Sequence, residues 1–307
     1  MKKISLRILL VLSVLLGLVN SGSVWAEASN EEPMADIKIE QWKGHSFTFL
    51  SLPADKQSDG YDVFTEEHAT EGFQGTRSLR IPYASHVGKQ VTVTEVVPFD
   101  AGNHQKDYMV HMIVNNTGEK LIGRSLRGQL EGLVLTADLE NAKKQFLGKT
   151  IYLKSRELSG LYVYGMAKVP QAVSTTIGYP VKVVDVYAGN QSQEPIWLII
   201  SVNEEKAILP IGYSWTNMPI EAWTQYHPWQ RAFFTEDPRN SLGGSYDLWN
   251  QIQTGNVEAG MNKGQVDLSW GKPIHTEEND SVWIYGTKKL IFDGDVLSSI
   301  EDFSESI

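Results

Sequence analysis

The sequence predicts a mainly β, multidomain chain, with two repeated small β-barrel or sandwich units followed by a small α+β domain. Three observations lead there. Apolar and polar residues alternate with period two in runs such as Ser46-Phe47-Thr48-Phe49-Leu50 and Val91-Thr92-Val93-Thr94-Glu95-Val96, bounded by Gly, Asn, Asp and Pro. A long β-type segment recurs, loosely, roughly 90–105 residues further along. From Asn240 onward the punctuation changes to that of helices and then of a hairpin.

The start of the 307-residue chain reads as a secretory signal peptide over residues 1–26. Lys2, Lys3 and Arg7 are basic, residues 8–19 are apolar apart from Ser13 and Gly17, and Val24-Trp25-Ala26 ends on a small residue. Its apolar core is shorter than the ~20 residues of a spanning helix, and retention as an N-terminal anchor is the competing reading. No later run is long and apolar enough to span a bilayer, so the mature protein is expected to be exported, periplasmic or secreted. Removing the leader takes away three positive and no negative charges, which moves the net charge from −10 to −13. An acidic surface of this kind argues against nucleic acid or anionic lipid as partner. The absence of cysteine excludes disulfides, thiolate metal sites, a cysteine nucleophile and a lipid on Cys. Stability must then come from ordinary cores, and 281 mature residues suggest two or three of them.

Residues 27–40 are polar and acidic and read as a flexible lead-in. The first β repeat is assigned to 41–130 and the second to 148–214. Residues 88–125 and 178–214 each open on Gly, run through a strand to an acidic residue (Glu95, Asp185), cross a polar loop and close a second strand on Val-Asn. Each then ends on Ile-Gly-x-Ser. Upstream, Gly44-His45-Ser46-Phe47 resembles Gly148-Lys149-Thr150-Ile151 more loosely. Short, closely spaced strands with Gly at the bends resemble tandem SH3-like barrels or compact sandwiches. Between the copies, 131–147 reads as a helical connector: Asp138 caps it, Leu139, Ala142 and Phe146 share one face, and Gly148 ends it. Residues 215–239 form an aromatic-rich linker carrying Trp215, Trp223, Tyr226, Trp229, Phe233 and Phe234. At this density they either plug an interdomain interface, the preferred reading, or offer a partner-binding surface.

In 240–307, Ser245 caps a helix through Ile252 that Gly255 ends. Asn262 and Gln265 form a capping box for a second helix, with Val266 and Trp270 on one face, Gly271 at its end and Pro273 beyond. Three strand-like pieces follow, the last turning back at Asp293-Gly294-Asp295, which gives ααβββ. Gly260-Met261, Gln265-Val266, Gly271-x-Pro273, Tyr285 and Phe292-Asp-Gly, with Val296-Leu297, resemble the SmpA/OmlA (BamE-like) family. That is the fold of a small envelope lipoprotein supporting the β-barrel assembly machinery of Gram-negative bacteria. Those relatives carry lipid on an N-terminal Cys, which this chain lacks. The resemblance therefore implies a non-catalytic domain that presents a surface to another envelope protein.

No catalytic motif is complete. Phe146-Leu147-Gly148-Lys149-Thr150 has the end of a phosphate loop without its first Gly, and the stretch at Gly123 misses a nucleophile elbow by one residue. His45, His68, His86, His104, His111, His227 and His275 show no ligand spacing, and Asp293 and Asp295 are explained by the hairpin. Asn115-Asn116-Thr117 matches a glycosylation acceptor but reads as a loop turn. The expectation is an exported scaffold or binding protein of the cell envelope, not an enzyme, without cofactor or metal. Its partner would be another envelope protein. One alternative is a peptidoglycan or glycan module using Tyr108, Tyr187, Trp197, Tyr213 and Trp215. The other is a periplasmic hydrolase using Glu95 and Asp185.

Overall fold

Alternation builds the first sheet. Its strands are β1 (Ser46–Phe49), β2 (Val63–Thr65), β3 (Gln90–Asp100), β4 (Lys106–Val114), β5 (Lys120–Ser125) and β6 (Leu133–Leu135). They lie in the order β6-β1-β3-β4-β5-β2, antiparallel throughout. Two short helices, α1 (Ala69–Phe73) and α2 (Tyr83–His86), fall between β2 and β3. The computed structural model describes residues 36–100, 106–160, 172–219, 222–241 and 245–302. The expected leader, most of the lead-in and His104 lie outside them.

Helix α3 (Thr136–Phe146) leads into β7 (Thr150–Leu153), β8 (Glu157–Gly160), β9 (Ala172–Ser174), β10 (Pro180–Ala188), β11 (Ile196–Val202), β12 (Glu205–Ile211) and β13 (Phe233–Phe234). This second antiparallel sheet has the order β13-β7-β10-β11-β12-β8-β9. Apart from the extra β9, its plan is that of the first sheet, with β13, β7, β10, β11, β12 and β8 standing for β6, β1, β3, β4, β5 and β2. The detail matches too. Val93 exchanges backbone hydrogen bonds with Gly44 and His45 as Val183 does with Gly148 and Lys149. Both long hairpins carry a bulge at this point, just before Glu95 and just before Asp185. The paired acids therefore mark a shared bulge.

The Ile-Gly-x-Ser motifs, in contrast, do not superpose. Met112 pairs with Leu121, whereas Ile200, at the equivalent place, pairs with Ala207. Ser125 therefore corresponds to Ile211, and Ser214 falls three residues beyond the strand end. Turn length accounts for two of these three residues, and a run one residue longer between Val-Asn and Ile-Gly in the second copy for the third. The first copy closes on the four residues 115–118, the second on Asn203 and Glu204, both at positive φ (48° and 71°).

Two further expectations are corrected. Asp138 does not cap α3, whose first turn follows Leu135; the carboxylate is buried on the helix side. Residues 215–239 are not a linker, because Phe233 and Phe234 pair with Leu153 and Tyr152 as an edge strand of the second sheet.

The first two units share a wall. Phe47, Phe49, Leu133 and Leu135 point into the first core, while Leu50 and Val134, on the opposite face, belong to the second with Ala142, Phe146, Trp229 and Phe233. Thr48, on that same face, is buried and its hydroxyl bonds to Thr136 at 2.9 Å.

Helix α4 (Pro238–Ser241) precedes the third unit, which contains α5 (Tyr246–Thr254), α6 (Lys263–Trp270), β14 (His275–Glu277), β15 (Val282–Tyr285), β16 (Lys288–Asp293) and β17 (Val296–Asp302). Both arms of the last hairpin pair fully, so the sheet is a four-stranded meander and the unit is ααββββ, not ααβββ. Ser245 Oγ accepts from Leu248 N, and Asn262 and Gln265 exchange side chain-to-backbone bonds of 2.8 and 2.9 Å. Met261, Val266, Trp283, Leu290, Phe292 and Leu297 form its core.

One arginine ties this unit to the second sheet. Arg156, in the turn from β7 to β8, donates to Gln253 O (3.1 Å), Ile252 O (2.6 Å) and Ser269 O (2.8 Å), so a single guanidinium caps the C-termini of α5 and α6. Beside it, the ring of Trp249 covers Gly178, where a Cβ would come within 2.2 Å of the indole. Gly178 also sits at φ +74°, so no other residue fits there without strain.

Arg156→Met keeps the stem and removes the cap. It should cost about 1 kcal/mol of local stability, given the partial exposure of the side chain. Hydrogen exchange should then quicken roughly fivefold in α5 and α6 and stay unchanged in β10–β12.

Candidate functional site

The aromatic segment is placed mainly inside. Trp215, Trp229, Phe233 and Phe234 are buried, Trp223 is half-buried, and Tyr226 is 50 % exposed. Trp229 and Phe233 stack on each other and both meet Phe146 edge-on. The Trp215 indole donates to Tyr226 O and lies under Arg231. As a partner-binding set these residues are therefore divided: four fill the interior, and only Tyr226 and part of Trp223 reach the surface.

Residues 214–217 close the wall between the first two units with polar contacts. Ser214 Oγ donates to Asp138 Oδ2 at 2.6 Å, Trp215 N donates to Asp36 Oδ1 at 2.7 Å, and Ile37 N donates to Thr216 Oγ1 at 3.1 Å. Asn217, buried at φ +62°, accepts from Leu130 N and donates to Leu130 O and Leu133 O. Three of its four hydrogen-bonding positions are satisfied, as a buried amide requires. Burial pushes the Asp138 carboxyl up to about 7 against the opposing pull of its Ser214 bonds, and the charge of Asp36 adds to the rise.

Asn217 fixes the loop at 129–132, which is one wall of a polar cleft of about 470 Å³. The other walls come from 52–62, from 77–80 and, across the junction, from 190–193 of the second unit. The junction is held by Ser51 N donating to Gly189 O and by Gly132 N donating to Ser192 Oγ, both at 3.0 Å. Gly60 lies on the rim at φ +75°, where a Cβ would meet Ile81 O at 2.3 Å. Arg80 Nη2 pairs with Asp62 at 3.1 Å, while its Nε is buried without a partner among the described residues. The sequence reading missed this cleft. The available signals were the arginines of Arg77-Ser78-Leu79-Arg80 and the amide-rich Asn190-Gln191-Ser192-Gln193.

The residues of the C-terminal motif are mostly architectural. Gly260 N donates to Leu297 O, and Met261 O accepts from Leu297 N. Gln265 and Val266 are buried, and Pro273 is half-buried after the helix end. The Tyr285 hydroxyl donates to Gly271 O at 2.6 Å, and Phe292 is a core residue. Among the residues considered for glycan contact, Tyr108 and Tyr213 are buried, with their hydroxyls on Glu40 and Gln145. Tyr187 is 51 % exposed and is the cross-strand partner of half-buried Trp197. His86 is buried between Pro82 O and Glu119, and among the described residues no group of three or more His, Asp or Glu is arranged to hold a metal ion.

Asp138 binds its proton more tightly in the folded than in the unfolded chain. Its stabilisation is complete below the ordinary carboxylate range and is lost as the pH rises through about 7. Asp138→Asn should therefore reduce the fall in melting temperature between about pH 4 and 8, a difference on the order of a few kcal/mol. Parallel thermal melts of both proteins across that range check this.

No protein-family model matches the chain, and neither the curated proteins nor the solved structures contain a match to it.

Proposed function

We propose that the mature chain is an exported, non-catalytic binding or scaffold protein of the bacterial cell envelope. It acts through contact with another envelope protein and uses no cofactor. The observation that carries this reading is the one-sided attachment of the C-terminal unit. Arg156 and Trp249 hold it to the second sheet, and its edge strand β14 stays uncovered. His275, Thr276 and Glu277 are all exposed, Ile274 is 72 % exposed and Tyr246 is 85 % exposed. An exposed edge strand presents a row of unpaired backbone groups able to pair with another chain.

In this reading the first two sheets are tandem SH3-like units, and 240–307 is a BamE-like domain. The shared strand order and the matching bulges support the duplication. The capping box and the Gly260–Leu297 and Tyr285–Gly271 bonds support the second assignment.

The test is photo-cross-linking of the full chain, expressed with its leader, carrying a benzophenone amino acid at 246, 274 or 187. One discrete adduct with an envelope protein from 246 and 274, absent from 187, is the expected result. Adducts from neither 246 nor 274 would remove this surface as the partner site.

A second reading has a specific observation behind it. Tyr187 and Trp197, paired across β10 and β11 with Pro210 beyond, form an apolar row suited to stacking on a sugar ring. If cell-wall glycan is the ligand, purified sacculi will sediment the protein, and Tyr187→Ala will lower the bound fraction several-fold. An unchanged fraction eliminates that role for the row.

A further inference from the structure

We infer that the polar cleft between the first two units binds a short zwitterionic peptide. Its free carboxylate is taken by the Arg77–Arg80 side and its ammonium group by Asp59 and Glu131. This assignment does not depend on the partner surface of the C-terminal unit.

Three features of the cleft lead to it. Its volume of about 470 Å³ lies in the range of small-ligand sites, and it sits at a junction between units, where such sites concentrate. Its cations are under-used: Arg80 is only 22 % exposed, has Asp62 as its ion-pair partner, and keeps a buried Nε without a partner among the described residues. Arg77 and Lys56 line the same space and enter no ion pair among the described residues. A guanidinium presents a fork of donors that a carboxylate fits bidentately, and exposed Arg77 offers such a fork to the cleft.

The third feature decides between ligand classes. Asp59 and Glu131 also line the cleft without an ion pair among the described residues, so the charges there balance. A polyphosphate would meet repulsion from both carboxylates, whereas a ligand carrying one charge of each sign satisfies both sets. The amides of Gln129, Asn190, Gln191 and Gln193 line the same cleft and offer donors and acceptors in the pairing a peptide backbone uses. The aromatic ring at the site, Tyr61, is 1 % exposed, so the cleft offers no stacking platform for a sugar. The walls are preorganised by Asn217 on one loop and by the Ser51–Gly189 and Gly132–Ser192 bonds on the others, which lowers the entropy lost on binding.

The experiment is calorimetric titration of the full mature chain with trialanine, its C-terminal amide, its N-acetyl form and inorganic phosphate. Saturable binding of trialanine is expected, weakened about tenfold or more by amidation and several-fold by acetylation. Arg77→Gln, which breaks no ion pair among the described residues, and Arg80→Gln should both reduce binding of the free peptide and abolish its sensitivity to amidation. Glu131→Gln should abolish sensitivity to acetylation. The assignment is overturned if trialanine gives no saturable signal at millimolar concentration with a cooperatively folded protein. Equal binding of the free and amidated peptides, or tighter binding of phosphate than of trialanine, would overturn it too.

Discussion

The double-sided burial of β1 and β6 is the constraint on which the rest of the structure depends. A strand with alternating Phe and Thr normally gives its Thr face to water. Here that face carries Leu50 and Val134 into a second core, and Thr48 is enclosed with Thr136. Once water is excluded from both sides, the polar backbone at the ends of these strands needs protein partners. Asn217 supplies them for Leu130 and Leu133, and Tyr61 donates to Leu50 O. The left-handed backbone at Asn217 is the local strain accepted for that closure.

The position of the 214–217 segment follows from this need, and so does the burial of the aromatics after it. With Trp215 bonded to Asp36 and Tyr226, and the stacked pair Trp229 and Phe233 set edge-on to Phe146, the chain wraps the second core before entering the third unit. The enclosure also traps a carboxylic acid. Asp138 has lost its water to the same packing that seals the wall, so its ionisation is coupled to the integrity of the junction. The polar cleft lies on the open side of that junction, with walls set by the same hydrogen bonds.

The third unit is attached by different physics. Helix C-termini present unpaired carbonyls, and Arg156 satisfies those of two helices at once while Trp249 seats on a glycine surface. These directional bonds, joined by Gln253 Nε2 donating to Ile177 O, are made by α5 and α6, and strand β14 remains exposed.

The sequence by itself determined whatever rests on neighbours a few residues apart. Ser245, Asn262 and Gln265 form their caps locally, the period-two runs became strands, and Glu95 and Asp185 were visible as a matched pair, though the bulge they follow was not. Tertiary structure alone decided which residues meet across the chain. Asp138 looked like a helix cap and became the partner of Ser214, 76 positions away. The Ile-Gly-x-Ser motifs looked equivalent and were displaced by three residues, two from the shorter second turn and one from a longer run between Val-Asn and Ile-Gly. Leu130 is closed by Asn217 from 87 positions away, and Asp36 reaches Trp215 across 179. Capping and alternation are encoded in the residues that form them. The pairing of strands distant in sequence and the packing of one unit on another are set by mutual burial of distant surfaces, for which no local pattern exists.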